Sequence, residues 1–336
     1  MLLKMKENRV WRLYRGGKLL GALHGREEED GCFPEDWLAS VVEAINPPRE
    51  GAPAHEGLSE VELPGGGTAF LRDVIPDKFS VLTKFLDSAE RLPIQAHPDK
   101  EAARRLFQSE YGKTEAWYIL GGRAIDGEEP YLLMGFKEDV PPALLKALFE
   151  RQDIAGMAAL MHKIPARPGE VYLIRGGLPH AIGPGVLLLE IQEPTDYTIS
   201  LETHDMAGNE IPARLIHQGA GFERMFDCFH YTRQSPEELL RSCCPPAREI
   251  APGYEELISY EDTPCFRLRR RQGTGARMQV EAVGQPYAIA VTKGEGVIGG
   301  IAVTQGDCLF VSADQEGYEI TGTMELLECH PPREEN

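Results

Sequence analysis

The sequence predicts a mainly β protein with added helices, organised as two β domains. In the first part of the chain, apolar or alternating runs bounded by Gly, Pro and acidic turns predict strands at 116–122, 131–136, 171–175 and 186–192. After about residue 222, short strands follow one another closely, which favours a sandwich or a small barrel. The predicted domains are residues 1–205, with helical insertions, and residues 225–333.

Apolar residues at helical spacing predict helices at 34–45, 78–92, 99–112 and, as a broken pair, 141–164. Pro34 lies at the start of the first of these segments, where proline is favoured. Asp99 is the expected N-cap of the third, and Gly112 is its expected end. The break in the last segment is expected near Asp153.

The charge of the chain limits its partners. Its 336 residues carry a formal net charge of −18, which argues against nucleic acid and against anionic membranes as partners. A local basic pocket can still bind a small anion. The sequence shows neither an apolar run that could span a bilayer nor a signal peptide, so we expect a cytoplasmic protein. The seven cysteines show no CxxC spacing, so no thiolate zinc site is predicted.

The stretch LPIQAHPDK points to a metal site. Gln95 and His97 are two residues apart, and in a strand such residues face the same side. Pro98 cannot donate to a strand ladder and ends the strand. An amide oxygen and an imidazole at a strand end form half of a possible metal site.

Two further residues could complete that site. Glu115 begins a predicted strand in GKTEAWYIL, and His180 follows a strand and a turn in GEVYLIRGGLPHAIG. Two imidazoles, a carboxylate and an amide oxygen suit zinc or another divalent first-row metal. A single His on a strand is more often packed or hydrogen-bonded than a ligand. The combined layout, however, resembles the two-part metal motif of cupins, which are jelly-roll barrels.

The chain also resembles a particular cupin family, the type I phosphomannose isomerases (mannose-6-phosphate isomerases) of the short bacterial kind. The matching stretches are VWRLYRGGKLLG, PEDWLAS, EGLSEV, FLDSAERLPIQAHPDK, GKTEAWYILGG and PGEVYLIRGGLPHAIGPGVLLLEIQEPTDYTI. The resemblance implies two jelly-roll (cupin) domains, with helices inserted in the N-terminal one and no metal in the C-terminal one. It also implies a cytoplasmic isomerase that interconverts mannose 6-phosphate and fructose 6-phosphate, as a monomer or homodimer.

The resemblance implies roles for individual residues. One Zn2+ per chain would be bound by the metal ligands of the motif, Gln95, His97, Glu115 and His180. Lys113 matches an active-site lysine, and Glu190 matches an acidic residue of the pocket. Lys84, on the predicted helix that leads to the ligand strand, falls where the family places a lysine that contacts the phosphate. Without the resemblance, Lys84 and Lys113 could equally be solvated surface lysines.

The sequence departs from the family pattern near the expected anion site. Ser200 stands where the family usually has an arginine, and Pro93 stands where it usually has a serine. A serine cannot supply the fixed charge of a guanidinium, so a phosphate would need another cation, with Lys84 the first candidate and Arg214 the second.

Two other functions therefore stay open. The chain could be a non-catalytic or altered-specificity cupin that binds a sugar or a related small molecule. It could also be a cupin metalloenzyme of another class, such as an iron oxygenase. Gln95 as a fourth ligand argues against the oxygenase, which favours two His and one carboxylate.

Overall fold

The computed structural model of the chain describes residues 1–63, 66–75 and 78–333. None of the helices in these ranges is long and apolar enough to cross a membrane. The described part of the chain is mainly β, as the sequence predicts. Its first strands are β1 Leu2–Lys4, β2 Arg9–Val10, β3 Glu35–Leu38, β4 Glu60–Glu62, β5 Thr68–Phe70, β6 Leu82–Asp87, β7 Gln95–Ala96, β8 Glu115–Gly122, β9 Tyr131–Phe136, β10 Met161–Pro165, β11 Val171–Ile174, β12 His180–Ile182, β13 Val186–Gln192 and β14 Ile199–Ser200.

The remaining strands lie in the C-terminal part of the chain. They are β15 Arg248–Ala251, β16 Tyr254–Ile258, β17 Arg267–Thr274, β18 Met278–Val280, β19 Tyr287–Ile298, β20 Ile301–Thr304, β21 Cys308–Val311 and β22 Tyr318–His330. The α-helices are α1 Lys18–Leu23, α2 Leu71–Val74, α3 Lys100–Phe107, α4 Pro142–Glu150, α5 Ile154–Ala159, α6 Ala213–His217 and α7 Pro236–Cys243, and a 3-10 helix covers Met225–Cys228.

Two sheets face each other in the N-terminal half. The ligand sheet has the order β10-β9-β12-β7-β14, and the middle sheet has the order β11-β8-β13-β6-β3-β2. Side chains of both sheets, including Leu132 and Met134 from one and Trp117 and Leu188 from the other, share one buried core. Because side chains alternate along a strand, every second residue of the middle sheet points into this interior. The candidate site lies at the polar end of this interior.

Helices α3, α4 and α5 cover the outer face of the ligand sheet. Ala102 of α3, Leu145 of α4 and Met157 of α5 pack with strand residues such as Leu133 in a second core. Helix α3 connects the ligand strand β7 to β8, as the sequence predicts. Asp99 accepts a hydrogen bond from the Ala102 amide and caps it. The helix ends earlier than predicted, because the backbone turns left-handed after Phe107.

A third layer lies behind the middle sheet. The C-terminal sheet has the order β1-β21-β19-β22-β17-β16-β15, with β18 added to β22 and β20 added to β19. Its residues Leu268 and Leu327 pack against Phe85 and Leu189 of the middle sheet. The first strand of the chain thus pairs within the C-terminal sheet. The division into domains at 1–205 and 225–333 remains a proposal.

Two predicted helices are wrong. Segment 34–45 forms strand β3 followed by irregular chain, and segment 78–92 forms strand β6. All six residues of β6 are buried because β3 and β13 flank it and other layers cover both of its faces. Its sequence, LTKFLD, mixes apolar and charged residues, so it shows neither the alternation of a half-exposed strand nor the apolar run of a buried one.

Two smaller differences concern the end of a predicted helix and a predicted linker. The second helix predicted in 141–164 ends at Ala159, and β10 then pairs with β9. The SPEEL segment, expected to be a linker, is helix α7, where Ser235 and Glu238 form a reciprocal capping box. Leu239 of this helix is buried in the interior core of the N-terminal half.

The Asp99 cap gives a prediction for stability. We expect Asp99→Ala to lower the free energy of unfolding by about 1 kcal/mol, because one amide at the start of α3 loses its acceptor. Asp99→Asn keeps an acceptor and is the matched control, with little expected change. Urea unfolding followed by circular dichroism measures both. Equal loss in the two variants would show that the charge of Asp99, and not its hydrogen bond, stabilises the helix.

Candidate active site

The predicted metal ligands come together where the ligand sheet meets the middle sheet. Gln95 and His97 lie at the end of β7, and His180 begins β12, directly opposite Gln95 in the ladder. Glu115 begins β8 on the facing middle sheet. The interior between the sheets therefore receives side chains from both walls. His97, Glu115 and His180 are each no more than 1% exposed.

His97, Glu115 and His180 have the geometry of a metal site. Their ligand atoms all lie within 4.8 Å of one another. His97 Nε2 is 3.2 Å from one carboxylate oxygen of Glu115, and His180 Nε2 is 3.6 Å from the other. These separations are close to those of ligands that surround one cation.

The hydrogen bonds of the imidazoles leave the right atoms free for a metal. His97 Nδ1 lies 2.8 Å from the Tyr197 carbonyl oxygen, and His180 Nδ1 lies 2.8 Å from the Leu178 carbonyl oxygen. Each Nδ1–H donates to its carbonyl, so each Nε2 presents a lone pair toward Glu115. His97 Nε2 and one oxygen of Glu115 are buried without a hydrogen-bond partner. These residues fit a divalent cation.

Gln95 stands beside this group. Its amide nitrogen is placed 3.3 Å from His180 Nε2. The two ends of an amide are interchangeable by a half-turn of its terminal bond, and that turn would direct the carbonyl oxygen to the same point. Gln95 thus lies where a fourth ligand would be, next to the metal group.

Lys113, Lys84 and Glu190 line the same interior. Lys113 Nζ is 3.6 Å from Glu115. Lys84 lies directly across the ladder from Glu190, with 3.0 Å between its Nζ and a Glu190 oxygen. The other oxygen of Glu190 accepts from the Trp117 indole N–H at 3.1 Å. Lys84 is on strand β6 and not on a helix, so that part of its prediction is wrong.

Burial and neighbouring charges set the protonation of the site. Burial and the charge of Lys113 lower the pKa of His97 to about 3, and burial lowers the pKa of His180. Both imidazoles are therefore neutral near pH 7. Burial opposes the ionisation of Glu115, but His97 and Lys113 outweigh it and lower its pKa. Burial and the charge of Glu115 raise the pKa of Glu190 to about 7.

A second group of buried charges lies next to these residues and is not among the predicted site residues. Glu35 of β3 lies 3.5 Å from Lys84 Nζ and 3.0 Å from Arg12 Nε, and it accepts from the Trp37 indole N–H at 2.6 Å. Arg12 makes a bidentate pair with Asp196 at 2.6 and 2.9 Å. In the sequence, Glu35 lies in PEDWL, and the available signal was a charged residue close to Trp37. In the structure this segment is a strand whose residues are all buried.

These contacts favour the charged form of Glu35. Its burial opposes ionisation, but Arg12 and Lys84 outweigh that effect and hold the pKa of Glu35 well below its usual range. Burial alone would likewise lower the pKa of Lys84, but Glu190 and Glu35 outweigh it and raise that pKa. Lys84 is therefore a firmly held cation that is 2% exposed.

A cavity opens beside Gln95, and the two positions that depart from the family pattern, Pro93 and Ser200, line it. Ser200 pairs with Gln95 in the ladder. Its hydroxyl donates to the Glu202 carbonyl at 3.0 Å and accepts from the Glu202 amide at 3.0 Å. Arg214, the second candidate cation, is exposed on α6 and is not among the residues of the cavity wall.

Within the described residues, the arginines of the cavity wall are Arg12 and Arg91, and each is paired. Arg12 binds Asp196, and Arg91 makes a bidentate pair with Glu202 at 2.6 and 2.9 Å. The wall thus holds cations, but their charges are already neutralised.

Comparison with known proteins identifies the family. No family model matches the chain. The chain is 30% identical over 258 residues to a Bacillus subtilis protein named as a probable mannose-6-phosphate isomerase, GmuF, covering 75% of each. It is 29% identical over 260 residues to the mannose-6-phosphate isomerase of Streptococcus mutans serotype c, covering 75% of this chain and 74% of that protein. The chain belongs to the mannose-6-phosphate isomerase family. The predicted family is confirmed.

Solved structures of phosphomannose isomerases share the fold. The Bacillus subtilis enzyme superposes with a TM-score of 0.75 at 20% identity, covering 98% of this chain and 99% of that one. A Salmonella typhimurium phosphomannose isomerase superposes with a TM-score of 0.71 at 14% identity, covering 99% and 100%. The predicted fold class, mainly β with added helices, is confirmed.

The metal group gives a direct prediction. We expect His180→Ala to remove most of the metal from the purified protein, because one imidazole ligand is lost, together with its contact to Glu115. Metal content per chain, measured by plasma mass spectrometry, checks this. His230→Ala, which removes a largely exposed imidazole, is the matched control and should retain the metal. A His180→Ala protein with full metal content would contradict the assignment.

Proposed function

We propose that the chain is a zinc-dependent aldose–ketose isomerase that interconverts mannose 6-phosphate and fructose 6-phosphate. The observation that carries the proposal is the buried group of His97, Glu115 and His180 with Lys113 and Glu190 around it. Family membership supports isomerisation. Zinc is proposed because neutral imidazoles with a carboxylate and an amide oxygen match its preferred ligands. When bound, the metal would polarise the oxygens of the open-chain sugar.

The reaction needs a base near the carbons that exchange a proton and donors near the two neighbouring oxygens. Glu190 suits the role of base, because its raised pKa lets it both accept and return a proton near neutral pH. One of its oxygens lies 3.0 Å from Lys84 Nζ in an ion pair. Trp117 fixes the other oxygen, so the orientation of the carboxylate is set before substrate binds.

Lys113 suits the role of donor to a substrate oxygen. Its ammonium group lies 3.6 Å from Glu115, at the edge of the metal group, and it is 4% exposed. A buried ammonium stabilises negative charge that develops on an oxygen more strongly than one in water. Lys84 lies behind Glu190 and Glu35. We propose that Lys84 acts on the substrate phosphate only if one of these pairs opens.

A second candidate function is supported by the cavity beside Ser200. Its wall includes the carboxylates of Glu90, Asp196, Glu202 and Asp205, against the already paired Arg12 and Arg91. A phosphate dianion there would face an acidic wall, whereas neutral hydroxyl groups would find many acceptors. This observation favours an altered-specificity cupin whose substrate is a less charged sugar or a related small molecule.

The first test is turnover. We expect the metallated protein to convert mannose 6-phosphate in a coupled assay, to lose this activity on chelation and to regain it with zinc. Glu190→Gln should retain the metal and lose at least about 100-fold in kcat, because the base is removed. Its control is Glu249→Gln, an exposed carboxylate on β15. A fully metallated protein without turnover of any hexose phosphate would favour a non-catalytic cupin that binds a sugar or a related small molecule.

The second test concerns position 200. We expect Ser200→Arg to raise kcat/KM for mannose 6-phosphate relative to mannose by about tenfold, or about 1.4 kcal/mol, because an added guanidinium would offset part of the negative charge of the cavity wall. Ser200→Gln matches the added length without the charge and should leave the ratio nearly unchanged. If Ser200→Arg leaves or lowers the ratio while the natural protein already prefers the phosphorylated sugar, the phosphate is held by another cation.

A further inference from the structure

One face of the C-terminal sheet carries a cluster of charged side chains. Side chains alternate along β17, so Arg267, Arg269 and Arg271 share this face. His330 lies directly opposite Arg267 in the ladder, and Glu328 lies directly opposite Arg269. Met324 and Leu326, earlier in β22, belong to an apolar core. The cluster is thus a polar patch at one end of a buried face.

The carboxylates of the cluster are used by two of its arginines. Arg271 Nε donates to Glu328 at 2.7 Å, and Arg269 Nε donates to Glu256 at 3.1 Å. Arg267 Nε lies 3.8 Å from the nearer oxygen of Glu256, beyond hydrogen-bonding distance. Arg267 therefore has no hydrogen-bonded carboxylate within the described part of the chain.

Unpaired polar atoms meet at this point. Arg267 is 8% exposed, and its Nε has no hydrogen-bond partner among the described residues. His330 is 0% exposed, and both of its ring nitrogens also lack hydrogen bonds there, with a Glu328 oxygen 3.7 Å from Nε2. The imidazole stacks on Tyr287, with 4.6 Å between ring centres. A buried N–H group without an acceptor is costly, and the carboxylates near these nitrogens lie beyond hydrogen-bonding distance.

A cationic cleft lies next to these atoms. The guanidinium groups of Arg267 and Arg333 each lie 4.8 Å from the ring centre of Tyr260. The cleft is lined by Lys78, Arg333 and Gln285, and Gln285 donates to the Tyr260 hydroxyl at 3.1 Å. Among the described residues, no carboxylate lines it. The charged side chains that line the cleft in the described part of the chain are therefore cations.

We propose that Arg267 and His330, which lie beside this cleft but are not part of its wall, form a second ligand site that binds a small soluble oxyanion through its phosphate or carboxylate group. The planar guanidinium suits such a group, since it can donate two parallel hydrogen bonds to it. His330 supplies another ring nitrogen, and Lys78 and Arg333 attract the anion to the cleft beside Tyr260.

This site is separate from the candidate active site. Strands β17 and β22 place Leu268 and Cys329 on their opposite face, which packs against the middle sheet in the core shared with Phe85. The metal group lies on the far side of that sheet. Anion binding at Arg267 therefore does not require the metal ligands, whatever reaction they support.

The test is calorimetric titration of the metallated full chain with inorganic phosphate and, separately, with acetate. We expect at least one of them to bind, and the preferred anion identifies the ligand class. Arg267→Gln should weaken that binding by about tenfold or more, because the guanidinium donors are lost. Arg277→Gln, which removes a largely exposed arginine, is the matched control. His180→Ala should bind the anion as the natural protein does.

Thermal unfolding gives an independent readout if titration heats are small. Without anion, Arg267→Gln should unfold at or above the temperature of the natural protein, because a buried cation without a hydrogen-bonded carboxylate is removed. It should also lose the rise in unfolding temperature that the anion produces in the natural protein. His330→Phe, which keeps the stacking on Tyr287, should lose most of that rise. The proposal is overturned if neither anion binds, if Arg267→Gln binds normally, or if His180→Ala abolishes all binding.

Discussion

The ion pair between Lys84 and Glu190 is the contact on which the N-terminal half depends. Both residues lie on central strands of the middle sheet, where layers on each side exclude water. Neither charge could be buried alone, because removing one partner of such a pair typically costs about 3–5 kcal/mol. The second partner of Lys84, Glu35, brings in Arg12, and Arg12 brings in Asp196. These residues form one connected set of ion pairs, and the metal group lies beside it, where Trp117 donates to Glu190 and its ring contacts His180.

The sequence predicts the general architecture but not every element. Strands 131–136 and 186–192 have the predicted bounds, and the cap at Asp99 is correct, because apolar runs bounded by turns and helix caps are local signals. Segments 34–45 and 78–92 are predicted as helices, but they contain strands β3 and β6. Both strands bury charged residues whose partners are distant in sequence, so no local pattern records them.

The site shows the same division between local and distant information. His97 and His180 lie within short motifs whose neighbours, a proline and glycines, shape the strand ends, so sequence was enough to find them. Arg12 and Asp196 are 184 residues apart, and their pairing depends on the order of strands in the middle sheet. The resemblance predicts that Lys84 contacts the substrate phosphate, but in the structure its ammonium group is paired with two carboxylates.

The two halves of the chain handle buried charge in opposite ways. In the N-terminal half, arginines and lysines are matched by carboxylates, and the buried atoms without a hydrogen bond include a Glu115 oxygen and His97 Nε2. Such a set calls for a cation. In the C-terminal half, the buried atoms without a hydrogen bond are nitrogens, Arg267 Nε and both ring nitrogens of His330. That set calls for an acceptor. The two sides of the shared apolar core therefore present complementary needs.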